Sequence, residues 1–213
     1  MSKISLEPND SGAGTFTLAA PNSNTNRTLN LPDESGTIFS DGSGVPGSAV
    51  TGQLASSNMP AGSVIQVVST TKTDTFVASV PGEGSVDITG LSVDITPTNS
   101  TSKVLILLSV AGHNNVEAGV HYNVKRDGAF VALPDGSSSY EPALGGHIGL
   151  GNTEITASSS ASIMDFPSTT SSTNYQVAIV TVTGATRTHY INRAASLGRN
   201  FLVSTITAME IAG

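Results

Sequence analysis

Few residues of this 213-residue chain could do chemistry, and their spacing decides what chemistry that would be. His113, Glu117 and His121 stand four residues apart. On a helix that spacing would put two imidazoles and a carboxylate on one face, as a divalent metal requires. The flanking sequence does not make the helix, because Asn114, Asn115 and Gly119 read as a loop between strands. His147, inside Gly145-Gly146-His147-Ile148-Gly149, and His189, beside Tyr190, have no partner at motif spacing and read as structural. No Gly-x-Ser-x-Gly turn opens a helix, so serine nucleophile chemistry has no carrier. Glu141, Glu154 and Asp165 are isolated in loops or at strand ends, not paired across a cleft as glycoside hydrolysis needs. Gly82-Glu83-Gly84 and Gly149-Leu150-Gly151 lack a following helix and are turns. The expectation is a protein that is not an enzyme, with no catalytic residue, cofactor or metal.

Composition narrows the class. Charged residues make up 12% of the chain, about half the usual share. Ser, Thr, Gly and Asn, which favour turns and strands, take their place, and this does not fit an α-helical protein. The formal charge is −7 and the nine Lys and Arg are scattered singly, which argues against nucleic acid as a partner. There is no cysteine, so disulfides, thiolate metal sites and thiol catalysis are all excluded. Met1-Ser2-Lys3-Ile4-Ser5 has no signal-peptide core, and no stretch reaches the ~20 apolar residues of a membrane span. A chain made and kept in a cytosol, without membrane insertion, is expected.

The elements that must position any site are strands. Residues 1–40 read as an extended β-rich stalk of short runs, including Thr15-Phe16-Thr17-Leu18 and Thr28-Leu29-Asn30-Leu31, whose alternate residues are apolar. Residues 41–62 are a Gly/Ser/Pro-rich linker. Residues 63–213 carry about ten strand-like runs divided by turn signals, the pattern of an antiparallel sandwich or jelly roll. Asp127-Gly128 predicts a two-residue hairpin turn. Val104-Leu105-Ile106-Leu107-Leu108 and Val177-Ala178-Ile179-Val180 are apolar on both faces, where a free-standing sandwich strand would leave one face wet. A subunit interface through Leu105, Leu107, Val177 and Ile179 is the expected explanation, with cover by loops of the same subunit as the alternative.

The stretch Gly14-Thr15-Phe16-Thr17-Leu18-Ala19-Ala20-Pro21, continuing through Arg27-Thr28-Leu29-Asn30-Leu31-Pro32-Asp33-Glu34-Ser35-Gly36-Thr37-Ile38, resembles the N-terminal repeat of tail-fibre and related virion fibre proteins of marine and cyanobacterial phages. Pro60-Ala61-Gly62-Ser63-Val64-Ile65, Ile88-Thr89-Gly90-Leu91-Ser92-Val93, Tyr190-Ile191-Asn192-Arg193 and Ser204-Thr205-Ile206-Thr207-Ala208-Met209-Glu210-Ile211 resemble the head domain of such fibres. The resemblance implies a homotrimer with a jelly-roll head similar to tumour-necrosis-factor or C1q trimers. It implies a place on the virion exterior, tail or capsid, and contact with other phage virion proteins through residues 1–40. Host-surface attachment, through glycans, is the implied function; a capsid decoration, head-fibre or connector protein that stabilises the particle without a receptor is the alternative. The long polar loops Pro134–Gly146, with Ser138, Tyr140 and Glu141, and Pro167–Asn174 are the candidate receptor contacts. Titrating the purified protein with Zn²⁺ or Ni²⁺ is expected to leave Tm unchanged; a rise of several degrees would restore the metal reading of His113, Glu117 and His121.

Overall fold

The structure is a computed structural model that describes residues 10–15, 17, 22–26, 28, 55, 58–114, 119–131, 143–148, 156–181, 184–196 and 201–213. The chain divides into two compact units, Met1–Val50 and Thr51–Gly213. The strands expected before Ser40 lie outside the described residues except at Thr15, Thr17 and Thr28, which are in irregular, exposed backbone.

In the second unit, strands with alternating apolar residues pair into two antiparallel sheets. The first contains β1 (Val64–Lys72), β2 (Phe76–Val80), β4 (Lys103–Asn114), β8 (Ala157–Asp165), β10 (Arg187–Ile191) and β11 (Ser204–Ile211). The second contains β3 (Ser85–Ile95), β5 (Gly119–Arg126), β6 (Ala129–Phe130), β7 (Gly145–Ile148) and β9 (Thr173–Val180). Four strands of each, β1-β11-β4-β8 and β3-β9-β5-β7, form the two layers of a jelly roll, and β2-β10 extends the first layer at the far end of β4. An all-β antiparallel sandwich is what the alternation predicted.

The core is the inward-facing half of each strand. Val104, Ile106, Leu108 and Val110 of β4 are at most 4% exposed and meet Val120, Tyr122 and Val124 of β5 and Tyr175, Val177 and Ile179 of β9 within one apolar cluster. Each such side chain contributes about 1.5–3 kcal/mol on burial. Val177 and Ile179 therefore have no surface to offer a second subunit, which corrects the expectation for them. The opposite face of β9 is closed too: Ala178 and Val180 are fully buried by the subunit's own chain.

Local chemistry sets the irregular points. Asp127 and Gly128 both take positive φ (48° and 90°) and close the hairpin that pairs Arg126 with Ala129, as Asp-Gly predicts. In β3 the register with β9 breaks between Asp87 and Ser92 around Gly90, at φ 80°. There the Gln176 amide donates to the carbonyls of Ile88 (2.8 Å) and Leu91 (3.1 Å) that the break frees from the ladder. Gly145 and Gly146, at the end of the expected loop Pro134–Gly146, instead open the short strand β7.

Three polar fastenings hold the strands, the first of them between the two layers and the other two along the first layer and its loops. The Asp165 carboxylate on β8 accepts two hydrogen bonds of 2.9 Å from Arg126 Nη1 on β5 and one of 2.6 Å from the Tyr175 hydroxyl on β9. The fully buried Glu210 accepts from Gln66 Nε2 (2.6 Å), Ser102 Oγ (2.7 Å), Thr98 Oγ1 (2.8 Å) and Thr98 N (2.7 Å). Burial alone would raise the Glu210 carboxyl, but these four donors outweigh it and hold it below its ordinary value. Asn192, at φ 60°, donates to the carbonyls of Lys72 (2.8 Å) and Asp74 (2.9 Å) and accepts from Ser204 Oγ (2.6 Å). Asp165→Ala strands the Arg126 and Tyr175 donors, so urea unfolding should report a loss of about 2–4 kcal/mol, whereas Tyr175→Phe should cost only about 1 kcal/mol.

Candidate functional site

Two regions of the head carry side chains that closing the core does not explain. The first is the outer face of the six-stranded sheet. Its registers place Val67, Met209, Leu105 and Met164 in one row across β1, β11, β4 and β8. Leu107 stands in the next row between Thr207 and Ser162, and Ser109 follows between Thr205 and Ser160. Val67 is 53% exposed, Met164 38% and Leu107 37%, while Leu105 and Met209 are half-buried. No charged residue stands in these three rows; Lys103 lies beyond them at the end of β4, its ammonium 6.0 Å from the centre of the exposed Phe166 ring. Both expected contact residues on β4, Leu105 and Leu107, thus project from an open, neutral face.

The second region is the opposite end of β4, where all four histidines of the chain gather from four strands. The β10–β4 ladder sets Tyr190 against His113, with ring centres 5.8 Å apart, and His189 against Asn114. Arg193 lies over the Tyr190 ring, 5.1 Å from its centre. The β5–β7 ladder sets His147 against Val120 and Gly146 against His121. His147 Nδ1 is 2.8 Å from Ser159 Oγ on β8, a hydrogen bond between the two sheets, and its ring centre is 6.0 Å from that of Tyr122. Glycine makes this packing possible at two points. A Cβ at Gly112 would strike the Tyr122 hydroxyl, and one at Gly146 would strike the Val120 carbonyl and the His121 ring.

At this end three of the imidazoles are disfavoured as cations. Burial pushes the His121 imidazole below its ordinary value. His147 is lowered by burial and by the neighbouring His121 and His113, with the Gly112 backbone partly opposing. Fully buried His189 is pushed down to about 4, by burial first and then by His121, His147 and Arg187. Among the described residues its Nε2 has a single long contact, 3.4 Å to Thr181 Oγ1. Among the described residues no group of three or more His, Asp or Glu has the geometry to hold a metal ion. A shallow depression of about 320 Å³, lined by His121, Ala143, Leu144, Gly145, Gly146 and His147, opens beside β7.

His113, Glu117 and His121 would share one face only on a helix, which the flanking sequence argued against; the structure puts His113 and His121 on strands of facing sheets, and Glu117 lies outside the described residues. Ser138, Tyr140, Glu141 and Glu154 lie outside them as well. The second candidate loop, Pro167–Asn174, joins β8 to β9 and is held by Ser171 N to Thr169 Oγ1 (3.0 Å) within it and by Asn174 N to Asp127 Oδ1 (3.0 Å) of the β5–β6 turn. The gathering of the histidines was not foreseen. Its only signal is that His113 and His121 flank one strand-to-strand connection.

No family model and no curated protein matches the chain. Among solved structures, the crystal structure of the infectious bursal disease virus VP2 subviral particle is similar at 16% identity and a TM-score of 0.33, over 69% of this chain and 37% of that one. The chain thus spans little more than a third of that structure's length.

The Tyr122 hydroxyl is fully buried and has no hydrogen-bond partner among the described residues. Tyr122→Phe should therefore leave the fold intact and raise stability by up to about 1 kcal/mol, measured by thermal and urea unfolding.

Proposed function

We propose that this chain is a structural protein of a bacterial virus particle, whose jelly-roll head self-associates as a homotrimer and displays its loops for weak, multivalent attachment to a host-surface glycan. The carrying observation is the apolar row Val67, Met209, Leu105 and Met164, with Leu107 beside it, on an outer sheet face free of charge in those rows. Soluble monomers rarely leave contiguous apolar rows on an open sheet, and packing this face against neighbouring chains around a three-fold axis would cover them. The number three, the phage particle and the glycan come from the resemblance to phage fibres. Trimeric display would turn a poor single-site affinity into useful avidity. In this reading residues 1–40 contact other virion proteins.

Light scattering on the full-length protein tests the interface. The expected mass is that of three chains. Leu107→Asp, which places a carboxylate on the outer face without touching the core, should weaken assembly at least about 30-fold, or roughly 2 kcal/mol per contact, and leave the far-ultraviolet circular dichroism unchanged. A monomeric wild type, or a trimer indifferent to Leu107→Asp, overturns the interface. Particles lacking the protein that adsorb normally but break on heating would replace attachment by a stabilising role.

A further inference from the structure

The histidine end combines three features that a merely structural polar cluster would not share. Four imidazoles from β4, β5, β7 and β10 lie together, bringing the chain's full histidine complement to one place. Among the described residues no carboxylate compensates His121, His147 or His189: Asp87 is held by Lys125 at 2.7 Å and Asp74 by Lys72 at 2.8 Å, and β2, β7 and β9 carry no acidic residue. The other charged and titratable groups facing the cluster worsen the balance or leave it unchanged. Arg187 on β10 adds positive charge, Arg193 lies over Tyr190, and the Tyr122 phenol is held neutral far above its ordinary value by burial. Glu83, the remaining described acid of the β2–β3 turn, lies against the chain near Gly184.

We propose that this end is an acid-sensitive latch: protonation of His121, His147 and His189 parts β7 from β8 and loosens β10, while the opposite end of the sandwich stays shut. The His147–Ser159 hydrogen bond is the described side-chain bond joining β7 to β8, so the group that charges also spans the seam. Charging it in place would bury a cation beside two other imidazoles, and opening the seam to water removes both penalties. Strand β7 is poorly equipped to resist. It has four residues, two of them Gly, and pairs only β5 among the described residues.

The direction of the effect follows from proton binding. Each of the three imidazoles holds its proton less readily in the closed head than in an opened one. The opened form therefore takes up more protons below about pH 6.5, and closure is complete above roughly pH 7 and lost as pH falls through that window. Glu210, at the other end of β4, behaves oppositely in position and range. Its carboxyl is held below its ordinary value, so its bonds persist until pH falls beneath the usual carboxylate range. The two ends, roughly 35 Å apart along the 12 residues of β4, release in separate pH windows.

Hydrogen–deuterium exchange on the full-length protein at pH 7.5 and pH 5.0, corrected for the intrinsic rate, tests the latch. Exchange in β7, β10 and residues 112–114 should quicken about 30-fold at pH 5.0, while β1 and β11 change less than about twofold. His147→Gln, which keeps a hydrogen-bonding side chain at Ser159 but cannot charge, should reduce the quickening in β7 at least about threefold. Should that variant fail to fold, titration of the wild-type imidazole resonances supplies the second readout, with His189 expected to protonate at least one pH unit below an exposed histidine. Uniform quickening across the head, an undiminished response in His147→Gln, or ordinary titration of His189 would overturn the proposal.

Discussion

The register of β4 is the constraint on which the head depends. Its 12 residues pair with β8 along one side and with β11, then β10, along the other, so it is the strand through which most of the first layer is joined. Because side chains alternate between faces, a slip of one residue would turn Val104, Ile106, Leu108 and Val110 outward and bring Leu105, Leu107 and Ser109 into the core. The same alternation that fills the core also decides what the outer face shows. The open apolar row is a direct product of that register and would vanish with it.

Polar groups are distributed very unevenly around this frame. At the Lys103 end of β4, Glu210 is surrounded by four donors and Asp165 by an arginine and a tyrosine, so buried carboxylates there are fully matched. At the Asn114 end, His121, His147 and His189 crowd with Arg187, and burial and mutual repulsion disfavour their charged forms. Matched buried charge fixes a single arrangement, whereas unmatched titratable groups leave the arrangement dependent on solvent conditions. One sandwich thus has a permanent end and a conditional one.

What could be read beforehand follows the range over which each signal acts. β3, β4, β9 and β11 announce themselves through local runs of Val, Ile, Leu and Thr, and Asp127-Gly128 specifies its own turn. β7 and the first half of β8 do not, because Gly145, Gly146 and Ser158 to Ser160 have little strand preference and owe their conformation to β5 and β4, distant in sequence. The doubly apolar runs on β4 and β9 look alike as sequence. They differ in structure because the chain's own segments cover Ala178 and Val180 but leave Leu107 bare. The histidines could not be grouped in advance, since only the β10–β4 and β5–β7 registers bring His113 and His121 near His147 and His189.

The head begins and finishes at one seam. β1 lies antiparallel to β11 through eight paired positions, and Gly62 N to Ala212 O and Ala212 N to Ser63 O, each 2.8 Å, extend the pairing beyond both strands. Tension arriving through the chain ahead of Ser63 therefore enters at β1. Pulled along the strand axis it loads that whole ladder in shear, so many backbone bonds must fail together rather than one after another. An edge strand loaded along its axis in this way withstands tension far better than the same strand unzipped from one end, a mechanical property that equilibrium stability would not reveal.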